Sequence, residues 1–190
     1  MAPGGGSISA YVGALGASLG SMVANLGANK RGWENKLDFF SDVAVKAQEV
    51  KDHLLYLVDE DTRSFNAIID AIRMPKDSEQ ERSVRKLAIE KASQYAAEIP
   101  FEVMQTANQS FDLLDQMIEN GNKASITDTG VGVLCTETAI RGAFMNVLVN
   151  TKDLEDRSFA QDLESKARKL MDGAQKRASE LRLKVESQLA

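Results

Sequence analysis

PGGGSISAYVGALGASLGSMVANLGAN, residues 3–29, is the stretch that decides the fold. Its three consecutive glycines, Gly4, Gly5 and Gly6, give a backbone that can take positive φ and approach a ligand closely. Ser7 or Ser9 can cap a helix behind them. In that helix Gly13, Gly16, Gly20, Ala24 and Gly27 recur every three or four residues, so one face carries almost no side chain. A helical glycine costs about 1 kcal/mol relative to alanine. The row therefore predicts a compensating gain, either close helix packing or a ligand at the loop.

The first charged side chain is Lys30. Ala10–Ala28 is 19 uncharged residues, near the length that spans a bilayer. Gly, Ser and Asn dilute it, and the expectation is a buried helix and no membrane partner. No positive stretch precedes the apolar run as in a signal peptide, so the expected compartment is cytoplasmic. The 190 residues suit one domain, 1–190, with a real core. A net charge of −5 argues against nucleic acid as the main partner. One cysteine excludes an intramolecular disulfide, and one histidine disfavours a zinc site, so no metal is expected.

The rest of the chain reads as helices. Trp33–Met74 has neither Gly nor Pro, and Leu37, Phe40, Ala44, Ala47, Leu54, Val58, Phe65, Ile68 and Ile72 form a three–four seam. About 40 helical residues span roughly 60 Å, so a bend or break is expected before Pro75 and Asp77 end the helix. Ser78-Glu79-Gln80-Glu81 has the form of a capping box. The helix it opens is expected to kink or restart at Pro100 and to end at Gly121, a suitable C′ residue. Thr127 or Asp128 can cap a helix to about Val149, and Leu154–Leu189 is a last amphipathic helix. No segment shows the alternation of a half-buried strand. The expected fold is an all-α bundle of about five or six helices.

One seam position is anomalous. The spacing puts Lys51 and Asp61 on the apolar stripe, Asp61 between Val58 and Phe65. A buried carboxylate is costly unless paired or protonated. Desolvation raises the pKa of such a group unless a cation offsets it, and an acid of raised pKa can donate a proton near neutral pH. A buried salt bridge, or a seam turning to solvent, explains the same pattern. Gly4–Ser7 is no Walker loop, since no Lys-Ser/Thr follows and no strand precedes it. It is either a loop contacting an anion or a backbone, or a flexible leader. Asn146 and Asn150, four apart, can bind a polar ligand together, although Asn150 can equally end the helix. Arg141 faces a groove or snorkels at the surface. Lys30 and Arg31 suit a helix C-terminus or bind an anion. Cys135 reads as a small core residue.

Several segments together carry a resemblance. They are Ala2-Pro3-Gly4-Gly5-Gly6-Ser7 and the helix behind it, and Leu57-Val58-Asp59-Glu60-Asp61-Thr62-Arg63-Ser64-Phe65-Asn66-Ala67 with Met74-Pro75-Lys76. With them go Ile99-Pro100-Phe101, Gly121-Asn122, Thr127-Asp128-Thr129-Gly130-Val131-Gly132 and Gly142-Ala143-Phe144-Met145-Asn146-Val147-Leu148-Val149-Asn150. Nearly the whole chain resembles, in register, the cyclodeaminase domain of formimidoyltransferase-cyclodeaminase. Members of that family usually carry a short helix before the Pro-Gly-Gly-Gly-Ser loop, which stands near the start of this sequence.

The resemblance implies an all-helical homodimer, or a larger even assembly, with folate bound at or near the interface and a formimidoyltransferase as a possible partner. It implies that N10 of 5-formimidoyltetrahydrofolate attacks the amidine carbon, and that the adduct loses ammonia to leave 5,10-methenyltetrahydrofolate. No metal or redox cofactor is required. The family's catalytic acid is an aspartate of a Val-Asp-x-Asp motif. That role transfers to Asp61, on the seam, with Asp59 the alternative and Asp128 next. Substrate-binding candidates are Gly4, Gly5, Gly6, Ser7, Lys30, Arg31, Asp128, Arg141, Asn146 and Asn150, the basic groups facing the folate's anionic tail. A methenyltetrahydrofolate cyclohydrolase of the same family, or a non-catalytic helical dimer, are the competing functions.

Overall fold

The small-residue row runs through the middle of the molecule. The computed structural model describes residues 3–189, so Ala2 lies outside it. It holds five α-helices and, among the described residues, no strand. They are α1 (Gly5–Ala28), α2 (Leu37–Arg73), α3 (Glu79–Asn120), α4 (Ile126–Thr151) and α5 (Arg157–Leu189). α1 packs mainly on α2 and α4 with α3 behind it, and α5 lies across α4 and α3.

The missing side chains of α1 are filled by its neighbours. A Cβ on Gly13 would lie 3.2 Å from both Ala139 Cβ and Leu54 Cδ1. A Cβ on Gly16 would lie 2.9 Å from Thr136 Oγ1 and 3.0 Å from the Gly132 carbonyl, so the α1 and α4 backbones nearly touch. The row is buried, as are Ala10, Ala14, Ala17 and Val23 beside it.

The helix ends differ in detail from their expected form. Neither Ser7 nor Ser9 caps α1. The helix opens one turn earlier with Gly4 at the cap, and Ser9 Oγ donates back to the Gly5 carbonyl (2.7 Å). α2 is one unbroken helix of 37 residues, entered through a 3-10 turn, Glu34–Lys36. The Ser78 capping box forms with both of its reciprocal bonds, Ser78 Oγ accepting from Glu81 N–H (3.2 Å) and Glu81 accepting from Ser78 N–H (2.8 Å). α3 then runs 42 residues straight through Pro100. Gly121 ends it with φ −69°, and glycine is needed there because a Cβ would strike the Met117 carbonyl, not for a left-handed turn. Thr127 and Asp128 cap nothing. Asn122 caps a 3-10 turn, Lys123–Ser125, that leads into α4 and leaves both residues in its first turn.

The seam of α2 also departs from the predicted one. Phe40, Val43, Ala44, Ala47, Val50, Leu54 and Leu57 are buried, and the buried row then passes to Glu60, Ser64 and Ala71. Leu37, Phe65 and Ile72 are exposed. Lys51 stays at the edge, paired with Asp52 (3.0 Å). Past Leu57 the helix turns small and polar groups inward: Ser64 lines a cavity, and Glu60 is bonded to Tyr95 of α3.

Both α1 and α4 present apolar side chains outward. On α1 these are Ile8, Tyr11, Leu15, Met22 and Leu26, and on α4 Val131, Leu134, Met145 and Val149. Gly5–Ala28 and Lys123–Thr151 are long and apolar enough to cross a bilayer. The inner side of each is packed into the bundle.

Candidate functional site

At the start of a helix the first backbone N–H groups have no partner within the helix. In α1 the first intrahelical bond is Ile8 N–H to the Gly4 carbonyl (3.1 Å), which leaves Gly5, Gly6 and Ser7. Ser7 finds its acceptor on α2: its N–H donates to Asp61 Oδ2 (2.8 Å), and its hydroxyl donates to the same oxygen (2.6 Å). Asp61 thus caps α1 from a neighbouring helix, where the positive end of the helix dipole suits a carboxylate. The approach is so close that a Cβ on Gly6 would fall on that carboxylate. The position has no room for any side chain.

A cavity of about 370 Å³ opens here. Gly4, Gly5 and Gly6 form one wall, Asp61, Thr62, Ser64, Phe65, Asn66 and Ile68 a second, Asn146 and Asn150 a third, and Ala96 of α3 closes it. Asp61 is half-buried. It is not the lone carboxylate in apolar surroundings that the seam suggested, since Ser7 supplies it with two donors.

The two asparagines orient themselves with their N–H groups. Asn146 Nδ2 donates to the Gly142 carbonyl (2.8 Å) and Asn150 Nδ2 to the Ala96 carbonyl (2.7 Å). Their side-chain oxygens are left as acceptors. The second bond follows from Pro100. Proline has no N–H to give the carbonyl four residues back, so Ala96 is left with a free backbone oxygen beside the cavity. Asn150 takes it and ties α4 to α3.

Glu60, the residue before Asp61, turns to the opposite neighbour. Its buried carboxylate accepts from the Tyr95 hydroxyl on α3 and from Arg63 one turn along α2. The Tyr95 bond, ahead of Arg63, holds the Glu60 carboxyl below its usual range against the opposing pull of burial. The same bond, then burial, pushes the Tyr95 phenol up to about 12.

The structure brings together Asp61, Gly4, Gly5, Gly6, Ser7, Asn146 and Asn150. It does not bring the others. Asp59 is exposed and does not line the cavity. Lys30 and Arg31 lie beyond the far end of α1, about 36 Å along the helix axis. There Lys30 sits over the Trp33 ring, 3.9 Å from its centroid. Asp128 is in the first turn of α4, 18 residues before Asn146 and so about 27 Å away along the axis. Arg141 turns from the cavity to Glu137 (3.0 Å), a nearly buried carboxylate that also takes Arg182. Among the described residues no Lys, Arg or His lines the cavity. Among the described residues no three His, Cys, Asp or Glu side chains converge as metal ligands do.

Thr62, Ser64, Phe65, Asn66, Ile68 and Ala96 of the cavity lining, and the Glu60–Tyr95 pair beside it, were not among the residues the sequence singled out for the site. Pro100 was the available signal for Ala96, since a helical proline always frees a carbonyl four residues earlier. A larger hollow of about 680 Å³ lies along α5, lined by Glu164, Arg168, Asp172 and others of that helix alone. It is a surface groove on which no second element converges.

The formiminotransferase-cyclodeaminase family model matches residues 1–169. The chain is 32% identical over 173 residues to formimidoyltransferase-cyclodeaminase of Gallus gallus, covering 91% of this chain and 32% of that protein. It is 34% identical over 160 residues to methenyltetrahydrofolate cyclohydrolase of Methylorubrum extorquens, covering 84% of this chain and 77% of that protein. The chain therefore spans about a third of the avian relative and most of the bacterial one. A formiminotetrahydrofolate cyclodeaminase structure from Thermotoga maritima superposes with a TM-score of 0.79 at 24% identity, over 98% of this chain and 87% of that one, a likeness of fold. The chain belongs to the formiminotransferase-cyclodeaminase family.

Proposed function

We propose that this family member is a formimidoyltetrahydrofolate cyclodeaminase, with the reduced folate bound in the cavity between α1, α2 and α4 and Asp61 moving the proton. The observation that carries the reading is Asp61 in the cavity wall, anchored through one oxygen by Ser7. Its other oxygen, Oδ1, lies against Gly6 at the cavity wall and is the one proposed to meet the substrate. The acceptor oxygens of Asn146 and Asn150 suit the N–H donors of a pterin ring. The uncovered N–H groups of Gly5 and Gly6 suit a carbonyl or an anionic oxygen.

The chemistry needs one proton moved a short way. N10 attacks the amidine carbon and gives up its proton, and the amine nitrogen of the tetrahedral adduct needs a proton to leave as ammonia. A single carboxylate can take the first and deliver the second, so Asp61 serves as base and then as acid. The C–N bond to N10 forms, the C–N bond to the departing nitrogen breaks, and no electrons are exchanged. No redox cofactor is called for. The cavity holds the two folate nitrogens in one geometry, which contributes much of the barrier lowering.

The runner-up is a methenyltetrahydrofolate cyclohydrolase, in which water attacks the methenyl carbon. The similarity to the bacterial cyclohydrolase favours it. Offering both folates separates the two. A cyclodeaminase gains methenyl absorbance from the formimidoyl substrate in step with ammonia release, and a cyclohydrolase loses it from the methenyl substrate with no ammonia. A protein inert to both overturns the enzymatic reading and leaves the non-catalytic dimer.

The proposal includes a homodimer and a formimidoyltransferase that supplies the substrate. The uncharged outer row of α1 with the apolar residues of α4 is the kind of patch a second copy covers. Light scattering at micromolar concentration is expected to give twice the 20.7 kDa chain mass or a higher even multiple. A monomer removes the assembly from the proposal.

A further inference from the structure

Adjacent residues of an α-helix point about 100° apart, and Glu60 and Asp61 use that angle to engage two different helices. Glu60 is buried against α3, where Tyr95 donates to it. Asp61 is turned to α1, where Ser7 donates to it (2.6 and 2.8 Å). We propose that Glu60 and Tyr95 form a clamp that sets the rotation of α2 and so aims Asp61 at the cavity. They are positioning residues and do not touch substrate.

The geometry makes rotation the sensitive coordinate. Side-chain ends stand about 5–6 Å from a helix axis, so a turn of about 10° moves a carboxylate by about 1 Å. Past Leu57 the residues of α2 buried toward the bundle besides Glu60 are the small Ser64 and Ala71, and Arg85 of α3 donates to the Ile72 carbonyl (2.9 Å). Asp59, Thr62, Phe65 and Ile72 are exposed or half-buried, Ser64 Oγ donates only within its own helix, to the Asp61 carbonyl (2.8 Å), and the cavity replaces the packing that fixes the helix nearer Leu54 and Leu57. The Glu60–Tyr95 bond adds a directional restraint to that small-residue packing. Arg63, one turn along α2 and largely exposed, balances the carboxylate's charge but cannot fix rotation against another helix.

The inference rests on the proposed function only for its kinetic readout. Its structural readout is the Ser7 amide. In the first turn of α1 that N–H has no helical partner, so its protection from hydrogen exchange depends on Asp61 being in place. In Tyr95→Phe and Glu60→Ala, Ser7 exchange is expected to rise about tenfold, as for the loss of one hydrogen bond. Turnover is expected to fall by up to about 10²-fold, the cost of a misplacement near 1 Å, with KM within about twofold. Glu60→Gln keeps an oxygen that accepts from Tyr95 and is expected to restore most of both readouts. In an Asp61→Asn background, Tyr95→Phe is expected to add no further loss of turnover.

Unchanged Ser7 exchange in both disrupting variants overturns the clamp, as does a uniform rise across the amides of α1 and α2. Should Glu60→Ala not fold, Tyr95→Phe carries the test, since it removes one oxygen and keeps the ring. A parent protein that turns over neither folate while Ser7 still responds to Tyr95→Phe overturns the functional reading and leaves the clamp standing.

Discussion

At one end of α1 a Cβ on Gly6 would fall on the Asp61 carboxylate, and at the other a Cβ on Gly27 would come within 2.6 Å of the Phe40 ring. Phe40 is fully buried and stacks on Trp33 with ring centroids 5.4 Å apart. Both ends use the same device, a side chain left out so that a neighbour can enter. The first neighbour is a charged group bordering a cavity, held by directional hydrogen bonds. The second is an aromatic ring in a dry layer, held by area and dispersion. A row of small residues therefore marks where something must come close, and only the entering atoms tell a polar site from packing.

The largest effect expected at the polar end comes from Asp61. Asp61→Asn keeps the shape and an oxygen for Ser7, but it could not carry the proton that the proposed reaction moves. Ammonia release is expected to fall by roughly 10²–10⁴-fold, with helical circular dichroism unchanged. Asp59→Asn, at an exposed position outside the cavity, is expected to change turnover little. The reverse ranking transfers the role to Asp59. Gly6→Ala is the next test of the same end. The added methyl has to displace the carboxylate, and turnover is expected to drop about 10²-fold, as for a displacement near 1 Å. Parental activity in Gly6→Ala would mean that Asp61 works from some other position.

The dry end was more legible in the sequence than the polar one. The small-residue row, the Phe40–Ala44–Ala47–Leu54 seam and the capping box at Ser78 all follow from periodicity and local chemistry, and the helices bear them out. Periodicity failed past Leu57. The predicted row ran to Phe65 and Ile72, whereas the helix buries Glu60, Ser64 and Ala71. Two neighbouring rows differ there by one residue, and hydrophobicity chose the row that carries Phe65 and Ile72, both of which are exposed. Ser7 was misread for a related reason. Local rules make a serine after glycines a cap for its own helix, and a capping group 54 residues away lies beyond their reach. Lys30, Arg31 and Arg141 were chosen for charge, and charge alone does not tell which end or face of a helix it occupies.

The dry end is expected to answer in stability and not in rate. Gly27→Ala drives a methyl into the Phe40 ring, and overpacking of this kind costs about 1–3 kcal/mol. Urea unfolding is expected to show that loss, with turnover per folded molecule unchanged. A parallel fall in turnover would mean that the two ends of α1 are coupled. The Glu60–Tyr95 pair beside the polar end also carries an alkaline pH dependence. Tyr95 has its phenol raised to about 12, so the stability it contributes is fully present below its ordinary value near 10. That stability is lost as pH climbs from there through about 12. The urea midpoint is expected to fall over this window in the parent and in Gly27→Ala, and to fall less in Tyr95→Phe. Equal slopes in all three would mean that the phenol is not held by Glu60.

The smallest effect separates two glycines of the row that sequence treats alike. At Gly16 a Cβ would lie 2.9 Å from Thr136 Oγ1 and 3.0 Å from the Gly132 backbone oxygen. A backbone atom cannot turn aside, so Gly16→Ala has to separate α1 from α4. At Gly20 the nearest atom is the flexible end of Leu114 at 3.5 Å, an ordinary van der Waals distance. Gly20→Ala therefore meets no obstacle and removes freedom from the unfolded chain, and a gain of roughly 0.5–1 kcal/mol is expected. Thermal melts of the two variants should move in opposite directions. If Gly20→Ala destabilises as Gly16→Ala does, the contact between α1 and α3 is tighter than 3.5 Å in solution. The row is then closed along its whole length, and the contrast between its ends rests on chemistry alone and not on space.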